Sequence, residues 1–112
     1  MPSRASRDWR LRVQDILQAA QDIADFTEGL SFEDFQNNKM LVQSVLYNFV
    51  IIGEAAANIP DEIKAVHPEI PWRIMADMRN VMAHEYFQVS LAVVWQTLQR
   101  SLPPVIVRLK NL

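Results

Sequence analysis

Cysteine is absent, so the chain has no disulfide framework, no thiolate metal site and no cysteine nucleophile. That suits a reducing compartment, and the expectation is a cytoplasmic protein. No run reaches the roughly 18 uncharged apolar residues of a membrane span, so no membrane segment is expected. The first residues, Met1 to Arg12, carry Arg4, Arg7, Arg10 and Arg12 with no apolar stretch behind them, unlike an export signal. Charge of one sign is also missing. A formal net charge of -2 argues against a general nucleic-acid coat protein, which must neutralise phosphates along its whole surface. Any RNA binding has to come from a local patch. Glycine occurs only twice, at Gly29 and Gly53, and the six prolines leave long stretches uninterrupted. Scarce punctuation favours helices.

Half of the 112 residues are hydrophobic and 21% are charged, the balance of a globular chain. A single domain over residues 1–112 is expected. Trp9, Val13, Ile16, Leu17, Ala20, Ile23 and Ala24 recur at spacings of three and four, one apolar stripe of a first helix that Gly29 stops. Ser31 three residues before Asp34 is a capping-box pattern for a short turn in which Phe32 and Phe35 pack. A long helix follows from about Asn38 to Ile59. Its stripe of Leu41, Val45, Phe49 and Ile52 is widened by Met40, Val42, Leu46, Val50 and Ile51, so it should be central or shared between two chains.

Pro60 ends that helix, and Pro60 to Pro71 reads as a connector with one helical turn around Asp61 to Val66. Pro71 starts a third long helix running from Trp72 through Met75, Met78 and Met82, where the methionines at helical spacing read as packing residues. Glu85 to Val89 breaks the pattern. Ser90 then caps a last helix through Leu91, Val94, Trp95, Leu98 and Leu102, continuing past Pro103 and Pro104 to Leu109 with a kink. The fold class is all-α: an up-and-down bundle of four main helices plus a short connector helix, paired as a homodimer.

The segment Met78-Arg79-Asn80-Val81-Met82-Ala83-His84-Glu85-Tyr86 stands at the end of the third long helix. Its Arg79, the polar Asn80, three further residues and His84 match the ribonuclease signature of the HEPN superfamily, and Tyr86 extends it to the form of the HepT-like toxins. Ile52-Gly53-Glu54-Ala55-Ala56, His67-Pro68-Glu69-Ile70-Pro71-Trp72, Val94-Trp95 and Leu102-Pro103 are similar to the same family, so the resemblance spans most of the chain. It implies a metal-independent endoribonuclease without a cofactor, the toxin of a toxin–antitoxin pair. It implies a homodimer that places two motifs beside one cleft. The implied partner is a minimal nucleotidyltransferase antitoxin able to transfer AMP to the motif tyrosine, here Tyr86.

The side-chain chemistry agrees. A metal-free ribonuclease must deprotonate a ribose 2'-hydroxyl, and imidazole, with an ordinary pKa of roughly 6.5, is the base nearest working pH. His84 fits that role. Attack on phosphorus builds charge on the non-bridging oxygens, and the paired donors of the Arg79 guanidinium match them. On an ideal helix these two residues diverge by about 140°, whereas Asn80 and His84 share a face. The pair converges if the helix ends or distorts near Ala83, if the Arg79 side chain swings round, or if a second chain completes the site. Glu54, in the apolar stretch Ile51 to Ala57, is expected to be a buried carboxylate that needs a basic partner and orients Arg79.

Plainer roles stand beside these. His84 could fix the last carbonyls of a helix, Arg79 could pair with Asp77 or Glu54, and Asn80 could cap a turn. Tyr86 could pack with Phe87 against the last helix. His67 reads as a solvated loop residue that makes no metal site with His84. The arginines of the first helix read as a solvated face, with an auxiliary phosphate patch as the alternative. At the level of function, a non-catalytic HEPN module that binds nucleotide or protein is the competing class. A dimeric scaffold that merely occupies the nucleotidyltransferase is the third.

Overall fold

The computed structural model describes residues 4–80 and 90–112, with side chains from Trp9 onward in the first helix. All regular structure among the described residues is helical. In order, α1 spans Arg4–Thr27, α2 Phe32–Gln36, α3 Lys39–Ala57, α4 Asp61–Val66, α5 Trp72–Asp77 and α6 Leu91–Gln96. A π-helical turn, Thr97–Ser101, then leads into α7, Leu102–Lys110.

The short-range signals in the sequence set the boundaries. Gly29, at φ 75°, turns the chain out of α1 in the left-handed region that a side chain disfavours. The capping box forms in full: Ser31 Oγ accepts from the Asp34 amide at 3.1 Å and Asp34 Oδ2 accepts from the Ser31 amide at 3.0 Å. Asn38 caps α3 through the Leu41 amide and Ser90 caps α6 through the Val93 amide. The connector helix forms where expected, and Arg108 of α7 fastens the chain beyond it by donating to the Glu69 carbonyl at 2.9 Å.

α3 is the central element, packed against α1 on one side and α5 on another. Val45, Leu46, Phe49, Ile52, Ala55 and Ala56 form its buried face, opposite Val13, Ile16, Ala20 and Ile23 of α1 and Met75 of α5. Asn48 is buried too, satisfied by donating to the Ser44 carbonyl at 2.8 Å. Phe35 of α2 stacks near Trp95 of α6, ring centroids 5.2 Å apart, which ties the short helix to the C-terminal pair.

α3, 19 residues at a mean hydropathy of 1.5, is long and apolar enough by those two measures to cross a membrane, although Lys39 and Glu54 keep its uncharged run short of the length sought in the sequence. Half of that window is buried inside the protein, so its apolarity is accounted for as that of a core helix. Two expectations need correction. The third long helix, expected to run from Trp72 to Met82, is interrupted after Asp77 by a turn at Met78 and Arg79; Asn80 is helical again, and Val81 and Met82 lie outside the described residues. Pro103 and Pro104 do not simply kink the last helix. They occupy the first turn of α7, and the widened turn before them, in which the Leu102 amide reaches back to the Thr97 carbonyl, absorbs the lost hydrogen bonds.

Candidate active site

Arg79 is, with Asn80, one of the two motif residues that the described structure places. It follows the end of α5, where the Met78 amide bonds to the Met75 carbonyl at 3.1 Å and the Arg79 amide to the Ala76 carbonyl at 3.4 Å. Both are tight three-residue links, and the second is at the long limit of a hydrogen bond. Regular helix is thus interrupted at Met78 and Arg79, immediately before the helical Asn80, and the placement of His84 relative to Arg79 lies outside the described residues. Asn80 is exposed beside it. His84 and Tyr86 lie outside the described residues, as does Met82.

Of the two partners the sequence offered Arg79, the structure selects Glu54. Arg79 Nη1 lies 3.6 Å from Glu54 Oε1, across the contact between α5 and α3. The expectation that Glu54 is buried is corrected: its side chain is 59% exposed and that of Arg79 45%. Helical phase explains this, since Glu54 falls on the outer side of α3 with Tyr47 and Met40, seven and fourteen residues earlier. An exposed pair of this kind contributes roughly 0.2–1 kcal/mol. It can steer a guanidinium but not rigidly hold one.

Sequence reasoning assigned no role to Gly53, and it lies directly against the Arg79 main chain. A Cβ at position 53 would overlap the Arg79 amide nitrogen and lie 2.7 Å from Arg79 Cβ and 3.0 Å from the Ala76 carbonyl oxygen. A signal was available. Glycine inside an exposed helix costs roughly 0.5–1 kcal/mol relative to alanine, so its presence in the middle of α3 marks a close approach by another backbone.

The other polar features stand apart. His67 Nδ1 lies 3.5 Å from Glu69 Oε1, and its carbonyl accepts from Trp72 Nε1 at 3.0 Å, which anchors the start of α5. Arg10 lies over the Trp9 ring and Arg12 is 4.0 Å from Asp15. A depression of about 440 Å³ between the end of α1 and the π-helical turn includes Asp25 and Glu28 and no cationic side chain, an unsuitable lining for phosphate.

The sequence profile of the family described as "Ribonuclease HepT-like" matches residues 16–112. A protein of Thermococcus cleftensis named "Probable ribonuclease HepT" is 44% identical over 91 residues, covering 81% of this chain and 83% of that one. One from Methanocaldococcus jannaschii, named "Putative RNase", is 32% identical over 101 residues, covering 90% and 93%. Another of that name from Caldanaerobacter subterraneus subsp. tengcongensis is 33% identical over 100 residues, covering 89% of each. No solved structure matches the chain. With the profile covering most of its length, and relatives of its own size that it matches nearly end to end, the chain belongs to the HepT-like ribonuclease family.

Proposed function

We propose that this protein is a metal-independent endoribonuclease acting as the toxin of a toxin–antitoxin pair in the cytoplasm. The observation that carries the reading is an exposed Arg79, at the end of α5 and steered by Glu54, within a chain of the HepT-like family. In this reading His84 takes the proton of a ribose 2'-hydroxyl and the oxygen attacks the adjacent phosphorus. Arg79 neutralises the charge that builds on the non-bridging oxygens. A cyclic 2',3'-phosphate forms as the 5'-oxygen leaves with a proton. Asn80, beside Arg79, is a further donor toward the phosphate.

One chain offers a single motif histidine, and a second copy would supply the acid. The outer side of α3 suits such a partner: Met40 is 80% exposed and Tyr47 63%, on the same side as Glu54, with Val50 and Ile51 half-buried nearby. A copy docked there, as part of an up-and-down bundle dimer, would bring its own Arg79 toward the same cleft. Tyr86 is the position at which a nucleotidyltransferase antitoxin would attach AMP.

The test is incubation of purified protein with RNA in EDTA. Cleavage leaving cyclic 2',3'-phosphate ends is expected from the wild type, and none from Arg79→Ala or His84→Ala. Full activity of a folded His84→Ala chain would overturn the mechanism. RNA binding without cleavage by the wild type would favour a non-catalytic module.

A further inference from the structure

We infer that Gly53 is a positioning residue for Arg79, and that contact with its bare backbone, more than the ion pair to Glu54, fixes where the guanidinium stands. The inference rests on the reading that Arg79 binds the RNA phosphate.

A side chain at position 53 would meet atoms that cannot step aside. The Arg79 amide nitrogen and the Ala76 carbonyl oxygen are main chain, and Arg79 Cβ is rigidly attached to it. Rotamer changes relieve none of the three. Restoring an ordinary carbon–carbon contact of about 3.5–4.0 Å from the 2.7 Å at Arg79 Cβ requires the end of α5 to withdraw from α3 by about an ångström. The space has no slack, because Ile52, Ala55, Ala56, Met75 and Met78 are buried around it.

Among the described residues, nothing else holds the Arg79 backbone as firmly. Regular helix is interrupted after Asp77, and among the described residues the Arg79 amide has only its 3.4 Å link to Ala76. The ion pair to Glu54 is exposed on both sides. Glu54 is moreover the neighbour of Gly53, so one turn of α3 supplies both the surface against which the Arg79 backbone rests and the carboxylate toward which its side chain points. Displacing α5 would separate both at once.

The experiment compares wild type, Gly53→Ala, Glu54→Gln, the double variant and Arg79→Ala in RNA cleavage, at a temperature where circular dichroism shows Gly53→Ala folded. The expected result is a kcat lower by about 100-fold in Gly53→Ala, the scale of a one-ångström misplacement, with KM changed far less. Glu54→Gln should lower activity in the wild-type background and have no further effect in Gly53→Ala, since the pair has already parted. A purely structural glycine would leave the two substitutions additive. Wild-type kcat in Gly53→Ala, or additivity, with Arg79→Ala inactive overturns the inference while leaving the ribonuclease reading intact. An active Arg79→Ala overturns that reading and this one with it. If Gly53→Ala does not fold, the wild-type protein decides: a nuclear Overhauser contact from Gly53 Hα to the Arg79 amide should persist on a 2'-O-methylated RNA, and its absence or loss refutes the role.

Discussion

Arg79 and Glu54 meet at 3.6 Å across the α3–α5 contact with both side chains standing in solvent, so the carboxylate competes with any phosphate that approaches the guanidinium. A group that orients and competes has opposed effects on catalysis and binding. Removing it should separate them.

Glu54→Gln is expected to change unfolding free energy by less than about 1 kcal/mol and to lower kcat by up to about fivefold, the range an exposed ion pair spans. Affinity for an uncleavable RNA should rise. Screening weakens the pair, so the difference in kcat should shrink as salt increases. Chemical denaturation and cleavage assays at two ionic strengths check this; a loss as large as that of Arg79→Ala would assign Glu54 to the chemistry itself.

The capping box at α2 makes acid stability titratable. Hydrogen bonds from the Ser31 backbone and then its side chain hold the Asp34 carboxyl below its ordinary pKa of 3.8. A depressed folded-state pKa gives a contribution fully present above about pH 4 and lost as pH falls through the folded value. Thermal melts of wild type and Asp34→Asn should therefore converge below that pH. Ser31→Ala should cost about 1 kcal/mol at neutral pH.

Charge on the outer side of α3 tests the pairing of two copies. Met40→Glu and Tyr47→Glu replace exposed side chains, so the monomer fold should survive. Light scattering should report twice the chain mass of 12.9 kDa for wild type and the single mass for the double variant, with cleavage lost alongside. A wild type that is monomeric and fully active would refute the shared cleft.

Coexpression with a nucleotidyltransferase antitoxin should add one or more AMP units to wild type, measured by intact mass. The phenolic oxygen of Tyr86 would attack the α-phosphorus of ATP, pyrophosphate would leave, and the phenolic proton would pass to solvent. The added anion beside the motif would repel the RNA phosphate. Tyr86→Phe should lose the modification and keep ribonuclease activity. An unmodified wild type that the partner still silences would leave simple binding as the mechanism.

What the sequence disclosed was mostly local. The caps at Ser31 and Ser90 and the stop at Gly29 depend on a few neighbouring residues, and all three form as their spacing implied. The central place of α3 was legible from the width of its apolar stripe. The end of α5 at Asp77 was not, because Met78 continues the helical spacing of Met75, and the close approach of the chain there to Gly53 is a tertiary contact that periodicity does not report. The apolar stretch around Glu54 led correctly to a basic partner in Arg79 but misjudged the exposure of the carboxylate. Its apolar neighbours in sequence face inward while its own phase faces out.

The π-helical turn at Thr97–Ser101 links length to composition at the C-terminal end. Such a turn holds one residue more than α-helical winding needs, and here it precedes two prolines whose rings would otherwise press on the carbonyls of Gln99 and Arg100. In an alignment of relatives, a one-residue gap at this point should therefore travel with loss of Pro103 and Pro104. Lineages could drop the three together and keep Val105 and Leu109 facing the core, whereas a gap that retained the prolines would turn that face away.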